Sequence, residues 1–93
     1  ELLKTESGVK IKNIKQILLA VFQRIQDSKL NQDKKNEISL VVEMLANVIE
    51  SGDKDAIKYA FISYKYVSRA HKLIFFNRRR KLFKLVNGVL DAI

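Results

Sequence analysis

His71-Lys72-Leu73-Ile74-Phe75-Phe76-Asn77 decides what this chain folds into. Before it, a helical pattern runs from about Lys54 to Ala70, with Ile57, Ala60, Phe61, Tyr64 and Val67 on the inward face. After it, Leu82, Phe83, Leu85, Val86, Val89, Leu90 and Ile93 form a second stripe, interrupted by Gly88, which weakens a helix by roughly 1 kcal/mol. No glycine or proline lies between the two patterns. At about 100° per residue, Ile57, Leu82, Val86 and Ile93 even share one phase. A single helix over 54–92 would be about 58 Å long. It would place Ser68, His71, Arg78 and Arg79 on the apolar stripe and push Leu73 and Phe76 to its flank. The first two helices, about 27 Å each, would not cover it, and such a form would make sense mainly in a swapped dimer. Four consecutive apolar residues, Leu73 to Phe76, do not fit one side of a helix. The sequence therefore predicts a break within 71–77, with Asn77 as N-cap of the last helix.

Working outward, Ser51-Gly52-Asp53 is the clearest boundary. Gly52 suits a left-handed C-terminal cap, and Asp53 suits the N-cap of the helix that follows. So short a link makes the two flanking helices antiparallel neighbours. The preceding helix is expected from about Asp33 to Glu50, with Ile38, Val41, Val42, Leu45, Val48 and Ile49 as its core stripe. Ser28 to Gln32 reads as a polar turn holding one apolar residue, Leu30. The first helix is expected from about Lys10 to Asp27, with Ile11, Ile14, Ile17, Leu18, Val21, Phe22 and Ile25 inward, and residues 1–9 read as a frayed lead-in. The expected fold is all-α, a single domain over 1–93 forming an antiparallel up-down four-helix bundle.

The 93 residues are 47% hydrophobic and 30% charged, a composition that folds around one modest core. There is no cysteine, which excludes disulfides, thiolate metal sites and thiol nucleophiles and fits a reducing compartment. No stretch approaches the roughly 20 apolar residues of a membrane span, and none reads as a secretory signal. The net charge of +8 is uneven. Residues 1–27 hold five bases and three acids, residues 28–55 four bases and six acids, and residues 56–93 nine bases and one acid, Asp91. The last segment can attract an anionic partner: nucleic acid, lipid headgroups or an acidic protein surface. The plainer account of the same charge is solubility.

The residues that carry chemistry are sparse. His71 is the single histidine and stands at a predicted helix end, as a surface or cap residue. Glu37, Glu43 and Glu50 do not make the Glu-x-x-His pattern of di-iron bundles. No glycine-rich phosphate loop or nucleophile elbow occurs. The chain is expected to have no cofactor and no enzymatic activity. Phe61, Tyr64 and Phe83 lie at core spacing, whereas Tyr59 and Tyr66 lie off the main stripe, where they are expected to be exposed. The run Arg78-Arg79-Arg80-Lys81 fills the predicted first turn of the last helix with cations. The helix dipole disfavours each by about 0.3–1 kcal/mol. A rule broken without local compensation marks a candidate contact site; a solvated charge run is the alternative.

Three stretches, in order, resemble the small immunity proteins that protect lactic acid bacteria from pediocin-like (class IIa) bacteriocins. They are Lys15-Gln16-Ile17, followed by Ile25 and Ser28-Lys29; the stripe from Ile38 to Ile49; and the tyrosine-rich helix running into Lys72-Leu73-Ile74-Phe75-Phe76-Asn77, then Leu82, Leu85 and Ile93. The likeness spans about residues 10–93 and is one of helix order, length and charge. An arginine run stands where that family often has a polar helix start. The resemblance implies a cytoplasmic, partly membrane-associated four-helix bundle without catalysis. It implies a partner too, the sugar-transport permease in the membrane once a bacteriocin has engaged it, with specificity in the C-terminal half. An anionic membrane surface is a further expected contact, and the protein is expected to be a monomer. The candidate partner-binding residues are Tyr66, Arg69, Lys72, Arg78, Arg79, Arg80, Lys81 and Lys84. Two other readings compete. One is a basic nucleic-acid-binding module of plasmid or phage origin, reading through Arg78, Arg79, Lys81 and Lys84; the other is an interaction domain of a larger protein.

Overall fold

Gly52 has a backbone φ of +72°, the left-handed conformation that a Cβ resists. Asp53 then starts a helix by accepting a hydrogen bond from the Ala56 N–H at 3.2 Å. The Ser51 hydroxyl closes the turn, donating to the Val48 carbonyl at 2.7 Å and accepting from the Asp53 N–H at 3.1 Å. The computed structural model describes the backbone of residues 2–75 and 79–93 and the side chains of residues 8–75 and 79–93. It contains α1 (Leu2–Asp27), α2 (Gln32–Val48), α3 (Lys54–Ala70), α4 (Lys72–Phe75) and α5 (Arg79–Ala92). Among the described residues there is no strand, so the fold is all-helical.

Three expectations change. The segment read as a frayed lead-in is helical from Leu2. Gly8 opposes helix most strongly there, at a cost of about 1 kcal/mol, and Leu2, Leu3, Lys4 and Glu6 before it favour helix. The described chain has five helices rather than four, because the break contains a helical turn of its own, α4. Ile93, expected in the last core stripe, lies beyond the end of α5 and is 50% exposed.

The break itself is present. Helix α3 ends at Ala70, and His71 leaves the helical region at φ −125°, ψ 56° while its N–H still reaches the Val67 carbonyl at 3.0 Å. The His71 carbonyl then accepts from the Ile74 and Phe75 N–H groups at 3.1 and 3.3 Å, which forms α4. The bend returns Phe75 to Tyr64, ring centroids 5.3 Å apart and perpendicular. A straight helix would hold those two residues about 16 Å apart along its axis. Phe75 is thereby buried, while its neighbour Leu73 is 90% exposed. The Leu73 carbonyl accepts a hydrogen bond from the Arg24 guanidinium of α1 at 2.9 Å. The proposed cap Asn77 lies outside the described residues.

Helix α1 packs against α2 and α5, α2 against α3, and α3 against α4 and α5. The pairs run antiparallel. Lys15 of α1 meets Glu50 just past α2, and at the opposite end Lys35 of α2 donates to the Gln26 carbonyl at 2.7 Å. Arg24 reaches α4, whereas Lys10 lies over Gly88 near the end of α5. Asn31 caps α2 by accepting from the Lys34 N–H at 2.8 Å. Ile14, Val21, Ile25, Leu45, Ile57, Leu82 and Val86 are fully buried at the centre. The apolar run 17–22 does not fit one face of α1, so Leu19 is left outside at 70% exposure. Ser68 is buried without penalty, because its hydroxyl donates to the Lys65 carbonyl at 2.9 Å.

Candidate functional site

The C-terminal half is built on an aromatic cluster. Phe83 of α5 meets Phe61 and Tyr64 of α3 edge-on, at 5.5 and 6.5 Å between centroids, and Phe75 completes the group through Tyr64. Edge-to-face pairs of this kind bring the positive ring edge onto a negative face. Cations border the cluster. The Lys65 ammonium sits 4.2 Å from the Phe61 centroid and 5.9 Å from that of Phe83. The Arg79 guanidinium sits 5.6 Å from the Phe83 centroid. Arg79 is therefore half-buried, and its Nε has no hydrogen-bond partner among the described residues. Burial pushes the Tyr64 phenol well above its ordinary range, and the charge of Arg79 offsets part of that rise.

Of the expected contact residues, Arg80, Lys81 and Lys84 are exposed and line one shallow groove on α5 with Phe83 and Asn87. Arg79 is turned inward onto Phe83 instead. Tyr66 is 79% exposed, but it belongs to a different place, a cleft between α3 and α2 shared with Lys34, Glu37 and Val41. Arg69 and Lys72 are exposed near the end of α3 and the start of α4. Arg78 lies outside the described residues. The expected set is thus two surfaces rather than one. The arrangement missed from sequence is the side of α3 bearing Lys58, Ile62 and Lys65, all exposed. Their spacing of four and three, continued to Arg69, is a helical-face signal that was available.

His71 is the C-terminal cap of α3 and half-exposed. Among the described residues, the ion pairs are Lys15–Glu50 and Lys34–Glu37, so neither acid engages the arginines of α5. No group of three His, Cys, Asp or Glu side chains among those residues is placed to hold a metal ion. No described helix is long and apolar enough to cross a membrane. What the surface offers chemically is cationic and aromatic contact. No family model, no curated protein and no solved structure matches the chain.

Proposed function

We propose that this is an immunity protein of the type that protects bacteria from pediocin-like bacteriocins. In this reading it acts from the cytoplasm on the permease that the peptide has engaged. Helices α1, α2, α3 and α5 are taken as an antiparallel up-down four-helix bundle, with α4 as a link between the last two. The observation that carries the reading is the concentration of exposed cations and tyrosines on α3 and α5: Tyr66, Arg69, Arg80, Lys81 and Lys84 are all solvent-facing. A surface of this kind suits contact with a partner rather than turnover of a small substrate. The test is expression in a bacteriocin-sensitive strain, scored for survival against a panel of pediocin-like peptides. Protection against at least one peptide is expected from protein made inside the cell, and none from protein added outside. Protection by external protein would mean direct neutralisation of the peptide and would overturn the proposed site of action.

A second reading is favoured by one feature, the groove that gathers Arg80, Lys81, Lys84 and Asn87 on α5. It suits the phosphate backbone of a duplex. Absence of protection across the panel, together with salt-dependent binding to random duplex DNA, would put that reading first.

A further inference from the structure

The outward side of α3 carries Lys58, Tyr59, Ile62, Lys65, Tyr66 and Arg69, all exposed. Tyr59 is 69%, Ile62 65% and Tyr66 79% accessible, values that leave most of each residue in water. Positions 59, 62 and 66 follow helical spacing of three and four, so the three large side chains form one stripe. Lys58, Lys65 and Arg69 follow spacings of seven and four along its edge. Against these three cations, and Lys34 of α2 beyond the cleft, stand two acids: Asp55 one turn before Tyr59 on α3, and Glu37 of α2 in the cleft beside Tyr66, so the strip keeps a net positive charge.

Leu40 of α2 is 66% exposed, but Glu37 and Glu43 stand one turn to either side of it. Leu19 and Leu73 are also exposed beside lysines, but neither belongs to a stripe of three large exposed side chains. The strip on α3 offers apolar bulk and positive charge in one plane, on the convex outer side of a helix. A nucleic-acid strand can use the tyrosines for stacking and the cations for phosphate, but it has no use for Ile62 at the centre. A bilayer uses all of them. Tyrosine rings settle at the headgroup boundary, an isoleucine enters just below it, and long basic side chains lay their stems along the apolar zone with the charge on phosphate.

We propose that the outward face of α3 docks this protein onto an anionic lipid bilayer. Tyr59, Ile62 and Tyr66 seat at the boundary between headgroups and acyl chains, and Lys58 and Arg69 meet lipid phosphates. Lys65, held over the Phe61 ring, adds to the local potential from the edge. The inference stands on this surface alone and does not depend on the immunity reading.

The test uses the full 93-residue chain with vesicles of phosphatidylcholine alone or mixed with phosphatidylglycerol, scored by co-sedimentation at two salt concentrations. Binding is expected only to the mixed vesicles. Y59S/I62S/Y66S is expected to bind at least tenfold more weakly, and K58Q/R69Q about 30-fold more weakly, at about fivefold per cation. R80Q/K84Q removes the same charge from α5 and is expected to lose clearly less. Circular dichroism checks that each variant keeps its helix. Bound protein is also expected to shield its tyrosine emission from iodide, since Tyr59 and Tyr66 move out of water while Tyr64 is buried throughout. Equal binding to both vesicle types would overturn the proposal, as would equal losses in the α3 and α5 double variants, or an unchanged triple variant. So would duplex DNA or an acidic protein binding more tightly than mixed vesicles and depending on Ile62.

Discussion

The chain reverses direction after α2 and again after α3, and the two reversals are made in different ways. The first is written into three adjacent residues. Gly52 supplies the left-handed backbone, Asp53 caps the new helix, and the Ser51 hydroxyl ties both sides together. The second has no glycine, and its described part is held by distant partners: Phe75 folds back onto Tyr64, and Arg24 of α1 takes the Leu73 carbonyl. A local turn survives changes elsewhere in the core, whereas a turn specified by burial depends on the core being intact.

The largest effect should come from removing that burial. Phe75→Ala should lower stability by about 3–5 kcal/mol, the usual range for emptying a buried phenylalanine site, as measured by chemical denaturation. A loss below about 1 kcal/mol would mean that the second reversal is locally encoded after all. At the first reversal, Gly52→Ala should cost about 1–2 kcal/mol for the left-handed backbone, and Asp53→Ala about 0.5–2 kcal/mol for the lost cap. Thermal melts of the two variants and their combination would show whether glycine and cap act independently; a combined cost no larger than either alone would contradict the separate roles given to them.

Alkaline pH separates the two regions in another way. The Tyr64 phenol is raised above its ordinary value of 10.0 chiefly by burial, with Arg79 opposing. Folded Tyr64 therefore stays protonated when the unfolded chain begins to ionise. Its contribution is complete below about pH 10 and falls by about 1.4 kcal/mol per pH unit above it. Tyr64→Phe should remove that part of the alkaline slope, read as the difference between urea midpoints at pH 9 and pH 11. The smallest effect is at the start of α5. Arg80 is exposed in the first turn, where the helix dipole opposes a cation, so Arg80→Gln should raise stability by about 0.3–1 kcal/mol. A loss of 1 kcal/mol or more in a differential scan would show that Arg80 makes a stabilising contact.

The same contrast explains what was legible beforehand. Gly52 and Asp53 announce themselves by residue type, and the range 54–70 for α3 follows from its spacing and that cap. The exposure of Tyr59 and Tyr66 follows from their phase on that helix. Helix α4 was not legible, because Phe75 is placed by a ring eleven positions back and the Leu73 carbonyl by an arginine on another helix. The extension of α1 to Leu2 was obscured by Gly8, which suggests an end where the surrounding residues sustain a helix. The candidate site was legible in composition but not in grouping. Counting charge and aromatic residues pointed to the C-terminal half, yet a count does not reveal that Tyr66 stands exposed at the rim of the cleft with α2 while Arg80 and Lys84 lie on α5. Nor does it show that Arg79 turns in against Phe83.

The hydrogen bond between Arg24 and the Leu73 carbonyl joins residues 49 positions apart, and that separation sets an order of events during folding. Closing so long a loop costs chain entropy that a single hydrogen bond does not recover. The contact therefore forms only after α1 has found its place on α2 and α5. Until then, the described part of the bend within residues 54–93 has the Phe75–Tyr64 contact but lacks the Arg24 hydrogen bond. The shape of that bend is among the last features to be fixed, and a fragment lacking the first helix would hold it through Phe75 and Tyr64 alone.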